Sequence, residues 1–278
     1  MMFDLKGKVA LVTGGANGIG AALAREFLKE GVKFIAILDV DESNGNNLEK
    51  ELAEKHGHDK VKFMKCDVTK DEELYSSFNR TLESNGYIDV VINNADIFEN
   101  HNIIFNLKIY QYTYFTEINL NSALVTSSLK ALELMRCDKG GKGGTIINVS
   151  SVSALGLLSP TVFVYNASKA AVLQFSSSIG KDAYYSKTKV RTITMCFGAT
   201  DTNMTVGVKS FDDELTNNIM FSSNFLNVIY RAEEAAQGTI RAYKIGKSGS
   251  VWLIWCSVEE ITDRVEKAYE IMAGNIFK

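Results

Sequence analysis

Proline is almost missing from this chain: there is one, Pro160, in 278 residues. Cysteine is sparse too. Cys66, Cys137, Cys196 and Cys256 are scattered, and no pair has metal-knuckle or redox spacing. That excludes a disulfide-stapled scaffold and favours small buried thiols in a reducing compartment. No charge of one sign dominates. The net charge is −3, so there is no basic footprint for nucleic acid or an anionic membrane. Long hydrophobic runs are lacking. The longest apolar stretches, residues 155–165 and 251–258, are too short or too interrupted to span a bilayer. No basic segment followed by an apolar one opens the chain, and Asn-Ile-Phe-Lys at its end is no lipidation or peroxisomal signal. These absences leave a cytoplasmic globular protein as the expectation. No repeat and no linker divides residues 1–278, so one domain is expected.

What the chain does have is a Thr-Gly-Gly-Ala-Asn-Gly-Ile-Gly stretch from Thr13 to Gly20. The apolar run Lys8-Val9-Ala10-Leu11-Val12 precedes it. A good helix sequence follows and stops at Gly31. Strand, glycine turn and helix is the setting in which a glycine motif binds a dinucleotide pyrophosphate. Gly14 permits the tight turn, Gly18 lets backbone approach the phosphates, and Gly20 lets helix pack on strand. The helix N-terminus then faces the anion. A P-loop is excluded, because no Gly-Lys-Ser/Thr closes the motif. On these eight residues alone a methyltransferase loop stays open.

Apolar runs then alternate with helical patterns. Strands are expected at residues 32–38, 61–66, 88–92, 145–150, 189–196 and 250–255. Helices are expected at 41–56, 71–84, 106–115, 117–135, 162–185, 231–243 and 259–273, and 202–228 reads as irregular and apolar. This alternation predicts an α/β fold with a parallel sheet covered on both faces.

Asp39 ends the second strand about twenty positions past the glycine turn, where a carboxylate bonds the ribose hydroxyls of NAD and repels the 2′-phosphate of NADP. Asp67 ends the third strand and is read either as an adenine contact or as a turn cap. Tyr165 and Lys169 stand four apart on one helix face. A free tyrosine titrates near 10, and bringing it near 7 takes about three units, roughly 4 kcal/mol. One cation at about 4 Å supplies roughly that much. The positive nicotinamide ring would add to it, so Lys169 plus an oxidised cofactor is expected to make Tyr165 a working acid/base. Ser150 and Ser151 close the fifth strand, beyond whose carboxyl end a ligand would sit. Asn119 lies inside a helix, as a local kink or as a water-holding relay. A methyltransferase does not explain Tyr165 and Lys169.

The glycine stretch, Asn93-Asn94-Ala95 after the fourth strand, Asn119, Ser150-Ser151 and Tyr165-x-x-x-Lys169 together resemble the short-chain dehydrogenase/reductase family over essentially the whole chain. Ile118-Asn119-Leu120, the glycine-rich turn before Thr145, and Gly249-Ser250-Val251-Trp252 are similar to the NAD-linked prostaglandin dehydrogenases and insect-type alcohol dehydrogenases. The resemblance implies a single-domain Rossmann fold with a seven-stranded parallel sheet. It implies an Asn119, Ser151, Tyr165, Lys169 tetrad. Ser151 would hold the substrate oxygen, Tyr165 would take its proton, Lys169 would bind the nicotinamide ribose, and Asn119 would hold a water. Ser150 or Ser153 could stand in for Ser151. Cofactor contacts are expected from Gly14, Asn17, Gly18, Ile19, Gly20, Asp39, Val40, Asp67, Val68, Asn94, Ala95, Tyr165, Lys169 and Thr202, with NAD as cofactor and no metal.

Two positions depart from the family pattern. Asp96 stands where a glycine follows Asn-Asn-Ala, and Phe197 where a proline precedes Gly198. Both border the nicotinamide half of the site, so weaker cofactor binding is expected. The leading reading is an NAD-dependent oxidoreductase acting on a secondary alcohol or ketone. A lipophilic one suits the apolar Ile97, Phe98, Leu155, Leu157, Val162, Met204, Val206, Phe211, Met220 and Phe221. The alternative is a catalytically weak or inactive homologue kept for binding or structure. Residues 117–135 and 162–185 are apolar over much of their helical circumference, and with the resemblance this points to a two-fold homodimer.

Overall fold

A computed structural model describes residues 2–97, 116–156, 162–205 and 229–274. The first half alternates as expected: β1 Val9–Thr13, α1 Gly18–Lys29, β2 Phe34–Asp39, α2 Glu42–His56, β3 Val61–Lys65, α3 Asp71–Asn85 and β4 Val90–Asn93. A π-helix, Glu117–Thr126, runs into α4, Ser127–Met135. After these come β5 Gly144–Ser151, α5 Phe163–Ile179, α6 Asp182–Thr188 and β6 Val190–Phe197. The short strands β7 Thr200–Asp201 and β8 Tyr230–Arg231 pair with each other. Next are α7 Ala232–Ile245, β9 Val251–Trp255, β10 Ser257–Glu260 and α8 Thr262–Ala273.

The main sheet has eight strands in the order β10-β9-β6-β5-β4-β1-β2-β3. Seven are parallel, as expected. The eighth, β10, folds back antiparallel on β9 and forms one edge. It takes residues that the sequence assigned to the start of the last helix. Both faces are covered. Alternate strand residues split cleanly: Ala10, Val12, Ile35 and Ile37 pack beneath α1, α2 and α7, whereas Leu11, Ala36, Leu38 and Val91 pack beneath α3 and α4. Strands buried on both faces read as unbroken apolar runs, which is why they were legible.

Two long helices differ from expectation. Residues 162–185 break at Gly180 and Lys181 into α5 and α6. Residues 117–135 begin as a π-helix, whose wider turns change which side chains face inward. The helix expected at 106–115, and nearly all of 202–228, lie outside the described residues. No helix among those described is long and apolar enough to cross a membrane.

β1 and β4 are neighbours, and the chain leaves them in opposite directions across the sheet. Such a topological switch opens a crevice at the carboxyl ends of the strands. The candidate residues converge there.

Candidate active site

The glycine turn joins β1 to α1. Gly14 and Gly18 have φ of +62° and +50°, a region that L side chains rarely adopt. A Cβ at Gly20 would meet the Gly14 carbonyl oxygen at 2.1 Å and Asn94 Nδ2 at 2.7 Å, so only glycine fits where α1 abuts the turn. Thr202, from the segment after β6, stands over the same turn, with its Cγ2 3.1 Å from where a Gly18 Cβ would be. Asn17 occupies the N-cap of α1 but makes no side-chain cap, and the first turn carries no acid. Its amide donates instead to Asp41 Oδ2 at 3.1 Å. The helix N-terminus is thus left to an outside anion.

Neighbouring strands hold this cradle. The Asn94 amide donates to the Thr13 and Gly14 carbonyls at 3.1 and 2.9 Å. The Thr13 hydroxyl accepts the N–H groups of Asn94 and Ala95, each at 3.1 Å. Thr13 is a linchpin that the sequence reading missed, having taken it only as the first letter of the glycine motif. Asp39 accepts the Ala16 N–H at 2.9 Å and the Asp41 N–H at 3.0 Å, so it shapes the turn as well as facing the crevice. Asp41 is a second carboxylate at the end of β2, held below the usual carboxylate range by hydrogen bonds from Asn44 and Asn17. Val40 beside it is exposed. Asp67 adopts the turn-cap arrangement: its Oδ1 accepts the Thr69 N–H and hydroxyl at 3.0 and 2.7 Å. Val68 is buried. A narrow glycine turn, an uncapped helix N-terminus and a strand-end carboxylate fit a dinucleotide.

Beyond this cradle, β4, β5 and α5 bring Asp96, Ser151, Tyr165 and Lys169 together. The Tyr165 phenol interacts through hydrogen bonds with the Ser151 hydroxyl and the Asp96 carboxyl. Ser151 also accepts the Ser153 N–H at 3.2 Å. Ser150 is buried and donates to the Lys169 carbonyl at 2.9 Å. Lys169 Nζ lies 2.8 Å from Asp96 Oδ2, with side-chain exposures of 3% and 8%. It also donates to the Val149 carbonyl at 3.3 Å and stands 5.4 Å from the Tyr165 ring centroid.

This ion pair bears on the phenol. Lys169 together with an oxidised cofactor is expected to pull the Tyr165 phenol down toward neutrality. Burial and the negative charge of Asp96 push it well above its ordinary value, against the stabilising bond from Ser151. The Asp96 carboxyl is itself raised by burial, with Lys169 opposing the rise. Lys169 cannot act as a lone cation while a carboxylate sits on it.

Asn119 is tied to the strand-end segment by its side chain. From the π-helix it clasps the backbone of Ile97, accepting its N–H and donating to its carbonyl. That fixes the chain next to Asp96. Phe197 does not reach into the nicotinamide half. It is buried in the core beneath α1 and α7 with Met195 and Ile254. Val162, Tyr165, Ile97 and Val164 form an apolar cluster around the phenol. No cluster of metal-binding side chains occurs among the described residues.

The fold and cradle define a dinucleotide-binding α/β protein. The short chain dehydrogenase family profile matches residues 8–213, and the chain belongs to that family. The chain is 34% identical over 198 residues to the mouse protein "15-hydroxyprostaglandin dehydrogenase [NAD(+)]", an alignment covering 71% of this chain and 69% of that one. It is 33% identical over 205 residues to "3beta-hydroxysteroid dehydrogenase 2" of Eggerthella lenta, covering 74% and 75%. Among solved structures, the NADPH-dependent 3-quinuclidinone reductase of Rhodotorula rubra superposes with a TM-score of 0.77 at 26% identity, covering 91% of each chain.

Proposed function

We propose that this single-domain protein is an NAD-linked oxidoreductase that interconverts a secondary alcohol and its ketone, with a lipophilic substrate. The observation that carries the reading is the convergence of Ser151, Tyr165 and Lys169 at the carboxyl ends of the strands, beside the glycine cradle. When bound, NAD supplies the hydride acceptor. The chain does the rest. Ser151 holds the substrate oxygen, and Tyr165 exchanges a proton with it. Lys169 lies against the phenol, and Asn119 fixes the backbone that carries Asp96.

NAD is favoured over NADP because Asp39 and Asp41 place two carboxylates at the end of β2, where a 2′-phosphate would be repelled. A lipophilic substrate is supported by the apolar cluster of Ile97, Val162 and Val164 around Tyr165. It is also supported by the prostaglandin and hydroxysteroid named for the mouse and bacterial relatives. A cytoplasmic location accords with four free cysteines.

The rival, a catalytically weak member that binds without turnover, is favoured by one observation: the Lys169 ammonium is already paired with Asp96. Titration with NADH by nicotinamide fluorescence, followed by turnover on a panel of secondary alcohols and ketones, separates the two. The enzyme reading expects saturable NADH binding and NAD-dependent turnover, faster on long-chain or cyclic substrates than on short polyols. Binding without turnover on any of them would favour the rival.

A further inference from the structure

The Asp96 carboxylate sits on the lysine beside the Tyr165 phenol. It is held in a buried ion pair with Lys169 at 2.8 Å. At that distance a unit negative charge largely cancels the field of the ammonium at the Tyr165 ring, whose centroid is 5.4 Å from Nζ. With little water between them, screening does not weaken this cancellation. Among the described residues, Asp96, following β4, acts on Tyr165 by charge and hydrogen bond, and the Ser151 hydroxyl of β5 is its neutral partner; Lys169, on α5, stands 5.4 Å from the ring centroid. The Cys196 thiol of β6 also faces Lys169; burial pushes it up to about 12, so it stays uncharged.

We propose that Asp96 is a positioning residue of the proton-transfer site: by holding the Lys169 ammonium it offsets the pull of that cation on the Tyr165 hydroxyl, and so moves the working pH range of the site upward in both directions. In carbonyl reduction a bound reduced nicotinamide would supply the hydride to the carbonyl carbon. The Tyr165 O–H bond breaks and its proton goes to the carbonyl oxygen, giving the alcohol. Solvent then returns a proton to the phenolate. Oxidation needs the phenolate at the start, so its rate must climb with pH until the phenol ionises. The overall equilibrium fixes the balance of the two directions; the pH range over which both run is what Asp96 sets. This inference rests on the oxidoreductase reading for its kinetic side, and on the burial of Tyr165 and the ion pair beside it for the state of the phenol.

The test uses the full chain and the variants Asp96→Asn, which removes the charge at nearly equal volume, and Asp96→Gly, which removes the side chain; circular dichroism establishes that each is folded. Two measurements are made. The first is the pH profile of kcat/KM in both directions. In wild type the oxidation limb should rise without a plateau through neutral pH. In Asp96→Asn the limbs of both directions should move together to lower pH by about one unit. The second needs no substrate or cofactor: ultraviolet difference titration of tyrosinate, with and without Tyr165→Phe, in each background. The Tyr165 midpoint should fall in both Asp96 variants. If it does not move in either, the proposal is wrong, whatever the activity. If it falls but no alcohol or ketone turns over, the oxidoreductase reading fails while the role of Asp96 stands.

Discussion

Asn119 grips the backbone of Ile97 from both sides: its Oδ1 accepts the Ile97 N–H at 3.0 Å and its Nδ2 donates to the Ile97 carbonyl at 2.8 Å. A side chain inside a π-helix thereby anchors the stretch that follows β4, one residue from the carboxylate that holds Lys169. Each bond contributes about 1 kcal/mol, and each backbone group left unpaired adds to the cost. Asn119→Ala should therefore lower stability by about 1–3 kcal/mol in urea unfolding. It should also reduce turnover more than it reduces NADH affinity, because Asp96 and Lys169 lose their setting while the glycine cradle keeps its own bonds. An unchanged unfolding midpoint would mean that the clasp carries nothing.

Asp39 has two duties, shaping the turn through Ala16 and Asp41 and facing the crevice. Asp39→Ala should weaken NAD about tenfold, the loss of one charge-assisted hydrogen bond. It should weaken NADP less or not at all, so the preference for NAD narrows. Dissociation constants for both reduced cofactors, in wild type and variant, decide it. Equal use of NADP by the wild type would refute the assignment.

At Gly20 a methyl group would sit 2.1 Å from the Gly14 carbonyl oxygen, inside any tolerable contact with backbone. Relieving it requires α1 to move off the turn. Gly20→Ala should cost about 1–3 kcal/mol of stability, as overpacking does, and should lower dinucleotide affinity more than turnover per bound cofactor. Calorimetric unfolding with and without NADH measures both. A variant that binds NADH as wild type does would show that the pyrophosphate is held elsewhere.

α4 and α5 leave large apolar side chains in solvent, Leu129 at 50% and Phe163 at 46% exposure. A two-fold dimer that pairs these helices would cover them. Light scattering at micromolar concentration should return twice the chain mass, and Leu129→Glu with Phe163→Glu should shift it toward the monomer. A wild-type monomer at that concentration would contradict the dimer.

The buried parallel strands were readable because both their faces are apolar, so each appears as an unbroken hydrophobic run. β10 was not, because Ser257-Val258-Glu259-Glu260 is polar and becomes a strand only through pairing with β9. The break at Gly180 was missed because Ala183, Tyr184 and Tyr185 beyond it extend a helix-compatible stretch, although only Thr188 of that second helix is buried. In the site, Tyr165, Lys169 and Ser151 were legible from residue type, spacing and chain order. The state of the phenol was not. It depends on Asp96, which is distant in sequence and meets Lys169 only once β4 and α5 pack together. The side-chain partners of Asn119, the backbone groups of Ile97, were not legible either.

Everything proposed for function turns on one phenol. Tyr165→Phe removes the exchangeable proton and leaves the ring in its apolar cluster, so the fold and NADH binding should be nearly unaffected. The direct measurement is the rate of reduced-nicotinamide formation or consumption on the best substrate of the panel, alongside the NADH dissociation constant of the same preparation. The account predicts a turnover loss of at least about a hundredfold, the lower end of what a positioned acid/base contributes, with the dissociation constant unchanged within about twofold, a difference well under the 1.4 kcal/mol of a tenfold change. Turnover retained in Tyr165→Phe would contradict it.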